Sequence, residues 1–500
     1  MQQSDEVSAR LPRWGYPLVG ITAFVVLLLP VLRGGGLHSL ISYDGAVYYA
    51  ASAGLAHGRL PYQDFLLLHP PGITLALLPF SVLGRLVGDP TGMSAARLAF
   101  MVLGAVNAVL VTRLLRPVGL LGAIFGGLFY AVFYPSVFMH RTVTLEAMAA
   151  TCLIGSILLA SRWRPDVTGQ LASPLYVGLL VGVSASIKIW GLALVVPLFV
   201  WGVAVLGLRR ALLIPAGAAA AGLTVCAPFF AVAPQPFWRM VVVAQWGRNP
   251  TSDGPLVRIR EIIGLSILPG EGNPLLVGLG ALLVLGACVL AFRAPVGRLG
   301  LLLLAVCVLV LLVTPTWALQ YTGLSAVPAA VVAGCSVSAL ADLLPPAGFR
   351  VTAALAFAGI AAYGAAVLSQ TWGSPFPGRA LAAALAGTSG CVTTDQPIAL
   401  IETDLLRRNL ARGCPLVVDL GGYSYALPPA SGTYVVRDRN QRWQRFALEY
   451  LSSGDATLPL RHRVGFGFTR QTAATVASWP VIAHVDGYSV RRPVPLPEAK

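Results

Sequence analysis

Eleven long apolar runs leave this chain with few options other than a bilayer. They cover residues 16–32, 94–114, 118–134, 143–160, 171–187, 190–207, 211–232, 274–292, 299–313, 321–341 and 351–368. A helix needs about 20 apolar residues to cross a roughly 30 Å hydrocarbon core, and these runs reach or approach that length. Across all 500 residues, 56% are hydrophobic and 11% charged, where a soluble domain carries about 25% charged residues. The composition excludes a soluble enzyme, a disordered chain and a nucleic-acid module. The 35 Lys+Arg against 20 Asp+Glu leave a formal charge of +15, and on so apolar a chain that excess reads as cytoplasmic loops and anionic lipid, not nucleic acid.

The arginines set the topology. A twelfth apolar stretch, 72–87, is short, contains Pro79 and Arg85, and follows His69-Pro70-Pro71. If it lies along the outer interface, one side of the membrane collects Arg10/Arg13, Arg113/Arg116, Arg162/Arg164, Arg209/Arg210, Arg293/Arg298 and Arg350. If it crosses, most of these pairs move outside, against the positive-inside rule. The expectation is a juxtamembrane or re-entrant segment, a multi-pass protein of the cytoplasmic (inner) membrane, a cytoplasmic N-terminus and an extracytoplasmic C-terminus. The polar start of the chain is followed by an apolar run without a small-residue cleavage motif, so that run is expected to be a retained span.

Three outer regions can then hold chemistry: 33–93, 233–273, and a tail from about residue 370. The expected division is a membrane catalytic domain over 1–369 and a small extracytoplasmic α/β domain over 370–500. In the tail, strand-like runs (Leu416-Val417-Val418, Tyr434-Val435-Val436, Val481-Ile482-Ala483) alternate with helix-like ones over 398–410 and 441–451. Five cysteines lie in apolar runs and read as small buried hydrophobes. Cys391 and Cys414 fall in the tail, on the oxidising side, where a bridge would close a loop of about 24 residues and stabilise it by roughly 3 kcal/mol.

The first outer loop carries Tyr43-Asp44-Gly45-Ala46-Val47-Tyr48-Tyr49-Ala50, then Pro61-Tyr62-Gln63-Asp64, then His69-Pro70-Pro71-Gly72. A short amphipathic helix is expected to begin just after Asp44. Spacing alone leaves two roles for that acid: a helix N-cap, or a carboxylate held about one turn above the bilayer.

In this order, these motifs resemble the first external loop of GT-C membrane glycosyltransferases, specifically the protein-mannosyltransferase and aminoarabinose-transferase-like group (glycosyltransferase family 39-like). The resemblance spans roughly 11–368 and extends to Arg141-Thr142-Val143-Thr144-Leu145-Glu146, to Gly182-Val183-Ser184-Ala185-Ser186-Ile187-Lys188, and to Gln320-Tyr321 with Pro328. It implies a GT-C type fold, a polyprenyl-phosphate sugar donor, inversion at the anomeric centre, and Asp44 as the base. Where several members of that group carry a second acid, this chain has Gly45. That departure leaves open a divalent cation at the donor phosphate; no metal ligands are assigned. The tail shows no motif shared with the group.

Residue chemistry supports the same sites. A lipid phosphate needs cations at interface depth, and Arg141 and Lys188 fit; Tyr321, which opens a later span from outside, is a further candidate for the donor phosphate. Ionised residues inside a span are costly, about 2.5–3.5 kcal/mol on insertion scales, and default to functional sites. Snorkelling remains open for Lys188 and plain interfacial anchoring for Arg141. Glu146, about one turn beyond Arg141, can pair with it. Gln320 and Tyr321 reach toward donor or form an aromatic belt. Asp64 and His69 line an acceptor entrance or an ordinary turn. Trp246, Arg248 and Arg258 meet acceptor sugar or lipid headgroups.

The reading is a membrane glycosyltransferase moving mannose or arabinose from a polyprenyl phosphate to a glycan, lipid or protein of a bacterial cell envelope. The competing class is a transporter or flippase of a lipid-linked substrate, which predicts inverted repeats that this sequence does not show. A third class, a membrane-anchored binding protein, would place all function in the tail.

Overall fold

The computed structural model describes residues 14–164, 172–246, 248, 253–268, 273–427, 435–460 and 466–494. Arg10 and Arg13 of the first expected inner segment, and Tyr434 of one expected strand, lie outside these residues. All eleven apolar runs are helical within the described residues. Among them, eight helices are long and apolar enough to cross a membrane, from Gly15–Arg33 to Pro346–Leu368. A further pair, Leu120–Val132 and Tyr134–His140, meets at 55° and passes the same test only when the two helices are taken together.

Two of the expected spans are shorter. Leu145–Ala160 and Ala172–Ile187 have 16 residues each; at 1.5 Å per residue that is about 24 Å, less than a roughly 30 Å core. The stretch 72–87 forms two pieces, Gly72–Ala76 and Leu78–Val87. The second has 10 residues, about 15 Å and half of what a span requires.

The chain divides into two compact units. The first comprises Met1–Arg33, Ala99–Thr224 and Ser252–Thr371. Its centre is the helix Gly323–Leu343, where Ala326, Val327, Ala330 and Val331 are fully buried against Leu299 and Leu303. Apolar side chains gain little by leaving lipid, so such helices associate through close packing of small residues. Gly178 and Gly182, four residues apart, do this against the helix Leu213–Val232. A Cβ on Gly178 would stand 2.1 Å from the carbonyl oxygen of Ile214, and one on Gly182 would stand 2.4 Å from that of Ala218.

The second unit comprises Gly34–Leu98, Val225–Thr251 and the tail from Trp372. Its inner helix, Tyr43–Ala56, is buried from Gly45 to Gly54. Four short strands form one sheet in the order β1-β2-β4-β3: β1 (Val392–Thr393), β2 (Ala456–Thr457), β3 (Val481–Val485) and β4 (Tyr488–Arg491). β1 and β2 are parallel, and the other two pairings are antiparallel. A parallel pair needs a long crossover, and the helices between residues 397 and 452 supply it. Cys391 and Cys414 are joined, with Cα atoms 5.8 Å apart, beside β1.

The tail departs from its expected pattern in three places. Leu416-Val417-Val418 is not a strand: Leu416 instead packs onto the helix Tyr43–Ala56, close to Gly54. Val435 and Val436 are likewise outside any strand. The run 398–410 breaks into Pro397–Glu402 and Leu405–Ala411, because Asp404 takes a left-handed conformation, φ 55°.

That break has a partner. Asp404 Oδ1 accepts the backbone N–H of Asp89 at 2.8 Å, and Asp89 Oδ2 accepts that of Arg407 at 2.7 Å. Each aspartate thus satisfies an amide at the start of the other's helix, with Arg407 bonded to Asp404 at 2.5 Å. A second anchor buries Arg97 against Glu402, 3.2 Å away, whose other oxygen lies 3.0 Å from His38 Nδ1.

The glycine packing predicts that Gly182→Val destabilises the protein by about 1–3 kcal/mol through overpacking. Gly222→Val, where a Cβ meets nothing within 4 Å, should leave it unchanged. Melting temperatures in nanodiscs would test this; equal losses for both would refute the packing account.

Candidate functional site

In the first unit the charges gather around Lys188. It follows directly on Ala172–Ile187, in an extended conformation that ends the helix, and only 6% of it is exposed. Its ammonium donates to Glu146 and lies 3.9 Å from the ring centres of both Trp190 and Tyr321. The two rings meet edge-on, 4.7 Å apart. A buried cation held by a carboxylate and two aromatic faces is stabilised by both, and the aromatic share is about 2 kcal/mol when desolvated. Glu146 sits in the first turn of Leu145–Ala160, where Thr144 is the N-cap and also donates to the carbonyl of Met139 at 2.8 Å.

Local spacing pointed Glu146 at Arg141; its ion-pair partner is Lys188, 42 residues on. The pair borders a small cavity of about 20 Å³ together with Ser184, Trp190, Leu194 and Gly323. This is room for one water. Ser184 Oγ is buried there without a hydrogen-bond partner among the described residues. Ser184 belongs to the motif that ends in Lys188, whereas Trp190, two residues after the lysine, lies outside every motif noted above.

Arg141 ends the helix Tyr134–His140, its amide donating to the carbonyl of Val137 at 3.0 Å. Its guanidinium lies 3.4 Å from the ring centre of Phe138. Gln320 and Tyr321 share the turn Leu319–Thr322. The structure brings Lys188, Glu146 and Tyr321 into direct contact.

Arg258 is engaged by backbone carbonyls. Its NH1 donates to the carbonyls of Leu311, Leu312 and Thr314 at 3.3, 3.2 and 2.6 Å, and its NH2 to that of Pro315 at 3.3 Å. These are the carbonyls that the end of Pro295–Val313 leaves without helical partners, and a cation there also suits the helix dipole. With 7% exposure, Arg258 caps this helix end. Arg248, in the second unit, lies 5.7 Å from the ring centre of Tyr425. Trp246 closes the helix Ala244–Trp246; its side chain lies outside the described residues.

In the second unit Asp44 occupies the first turn of Tyr43–Ala56, and the N-cap is Ser42, whose Oγ accepts from the Gly45 amide at 3.4 Å. The capping role open to Asp44 is therefore taken by its neighbour, two residues back. A carboxylate in a first turn is favoured by the helix dipole, and Asp44 is half-buried. The residue before it is fixed: Tyr43 OH donates to Asp419 Oδ1 at 2.9 Å and accepts from the Gly421 amide at 3.3 Å. Burial and the Asp419 charge hold the Tyr43 phenol well above its ordinary range, so it remains a donor.

His69 packs edge-on against Tyr48 at 5.7 Å, and its carbonyl accepts from Tyr62 OH at 2.6 Å. Asp64 is exposed and closes a turn, with Oδ2 accepting the Leu60 amide at 2.6 Å. Among the described residues no three of His, Cys, Asp and Glu gather in a way that would hold a metal ion. Glu146 is already engaged by Lys188.

No family model and no curated protein sequence matches this chain. Solved structures do. ArnT from Cupriavidus metallidurans bound to undecaprenyl phosphate matches with a TM-score of 0.59 at 15% identity, over 96% of this chain and 98% of that one. The archaeal oligosaccharyltransferase AglB from Archaeoglobus fulgidus, in complex with an inhibitory peptide and a dolichol-phosphate, matches with a TM-score of 0.53 at 13% identity, over 89% of this chain and 69% of that one. The chain has the GT-C fold. The GT-C match also includes most of the tail, about a quarter of the sequence, for which no motif gave a counterpart. At these identities the likeness carries the fold, and the chemistry rests on the residues themselves.

The cap assignment predicts that Arg258→Ala lowers stability by about 1–3 kcal/mol, since buried carbonyls lose a charged donor. Binding of a polyprenyl phosphate should stay within about twofold. Thermal unfolding and lipid binding measured on the same nanodisc sample separate the two; weakened binding at unchanged stability would restore the ligand role.

Proposed function

We propose that this protein is a membrane glycosyltransferase that moves a sugar, mannose or arabinose, from a polyprenyl phosphate to a glycan, lipid or protein acceptor outside the cytoplasmic membrane. The observation that carries the reading is the Lys188 ammonium, buried between two aromatic rings and a carboxylate in a chain with the GT-C fold. A phosphate on a lipid chain is the natural ligand for a cation in an apolar setting, where a charge-assisted hydrogen bond is strongest.

In this reading the acceptor hydroxyl attacks the anomeric carbon opposite the phosphate. The new glycosidic bond forms as the bond to the phosphate oxygen breaks, which inverts the centre. Asp44 takes the hydroxyl proton, a role worth roughly 10²–10⁴ in rate. Arg141 and Lys188 hold the phosphate and stabilise the charge it gains on departure. Phosphate leaves without protonation, so no general acid is required. Tyr321 forms one wall of the lysine site, and Gln320 stands in the same turn.

The acid and the cations fail differently when changed. Asp44→Asn should lower turnover by at least about a hundredfold while donor binding changes little. Because Ser42 is the cap, stability should hold. Arg141→Ala or Lys188→Ala should weaken donor binding as well as turnover. The assay is release of polyprenyl phosphate from a labelled polyprenyl-phosphate sugar, and near-normal transfer by Asp44→Asn would remove it as the base.

The topology in this proposal rests on the arginine pairs. A reporter fused after Leu368 should read as extracytoplasmic, and one fused after Arg210 as cytoplasmic. Reports from the same side would overturn the arrangement of spans.

A further inference from the structure

The bend between Leu120–Val132 and Tyr134–His140 holds a buried polar cluster that the proposed reaction does not use. His140 is 1% exposed, and Tyr130 and Asn107 are completely buried. Tyr130 OH lies 3.1 Å from His140 Nε2, and Asn107 Nδ2 lies 3.4 Å from the same nitrogen. Nε2 can pair with the Tyr130 hydroxyl as donor or as acceptor, since a hydroxyl serves in either sense. The ring is seated by a missing side chain: a Cβ on Gly104 would stand 2.8 Å from His140 Cγ and 2.7 Å from Leu27 Cδ1.

The histidine thus joins the two arms of the 55° bend, with Tyr130 on one arm and His140 at the end of the other. The next residue is Arg141. Beyond it, Thr144 Oγ1 bonds back to the Met139 carbonyl at 2.8 Å, and two residues further comes Glu146. The segment from Met139 to Glu146 is therefore tied down at His140 and again at Thr144, with Arg141 between the ties.

We infer that His140, clasped by Tyr130 and Asn107 in the seat left by Gly104, is a positioning residue that sets Arg141 in place for a lipid-linked phosphate. The inference rests on the donor role proposed for Arg141. The clasp does not touch the phosphate. It removes freedom from the backbone that carries the guanidinium, so that less ordering is left to be done on binding. A polar clasp suits this task better than an apolar contact: in a dry interior its groups have no other partners, so one geometry is strongly preferred.

The experiment uses the full chain in nanodiscs, with undecaprenyl phosphate as the probe and thermal unfolding measured in parallel. Tyr130→Phe and His140→Leu keep most of the packing and remove the hydrogen bond. Each should raise Kd roughly three- to tenfold, the range of one buried hydrogen bond. His140→Gln keeps an acceptor for Tyr130 and should recover most of the affinity. Adding Tyr130→Phe to Arg141→Ala should change Kd no further, because the clasp acts through the arginine.

Wild-type affinity in Tyr130→Phe and His140→Leu, beside a weakened Arg141→Ala, would overturn the clasp whatever happens to stability. So would additive losses in the double variant. If Arg141→Ala itself binds undecaprenyl phosphate normally, the donor reading fails first and takes this inference with it.

Discussion

A cation taken out of water must be neutralised where it stands, and in this protein that condition governs how the membrane part is built. Lys188 and Glu146 are both nearly inaccessible. Each depends on the other, since removing one partner of a buried pair typically destabilises by about 3–5 kcal/mol. Their helices, Leu145–Ala160 and Ala172–Ile187, are each too short to cover the hydrocarbon core. The pair lets charged residues stand at the ends of such short helices. Trp190 and Tyr321 then cover the ammonium with ring faces, which repel neither lipid nor cation.

The bilayer-crossing elements were legible because their signal is length, and length survives in a bare sequence. Every apolar run became helix. The bend at Phe133 and the shortness of two helices were not legible, since both depend on which neighbours receive the freed backbone groups. Glu146 shows the general difficulty. Helical spacing offered Arg141, a neighbour along the chain, whereas the carboxylate is bonded to a residue 42 positions away. The aspartate at the start of the first loop helix is a related case: spacing admitted a cap, but Ser42, two residues earlier, meets the same need with a hydroxyl.

In the tail, apolar runs such as 416–418 looked like strands because a strand and a buried extended segment share the same composition. The strands that do form are short. β1 and β2 have two residues each, too few for any alternating pattern to appear in the sequence. Besides an apolar cluster around Trp443, Leu451 and Phe468, polar long-range links tie this unit: the Asp89 and Asp404 exchange of helix caps, Arg97 on Glu402, and Tyr43 on Asp419. Each joins the segment Gly34–Leu98 to the tail within the same unit. The last one fixes the residue adjoining Asp44, so the geometry of that acid depends on a residue 375 positions further along the chain.

The choice of lysine at position 188 follows from the same electrostatics. The chain has 35 basic residues, and only Lys188 and Lys500 are lysines. An ammonium is a compact charge with three rotatable donors, whereas a guanidinium is a planar fork that stacks on one ring and takes a carboxylate with two parallel bonds. Between two rings that meet edge-on at 4.7 Å, a plane can lie flat on only one of them; a point charge can face both. A bidentate arginine would also engage both oxygens of Glu146 and hold its planar fork in one orientation. Lysine keeps one donor on the carboxylate and can turn the others, which suits the function proposed for this site, in which Glu146 would share the ammonium with a phosphate.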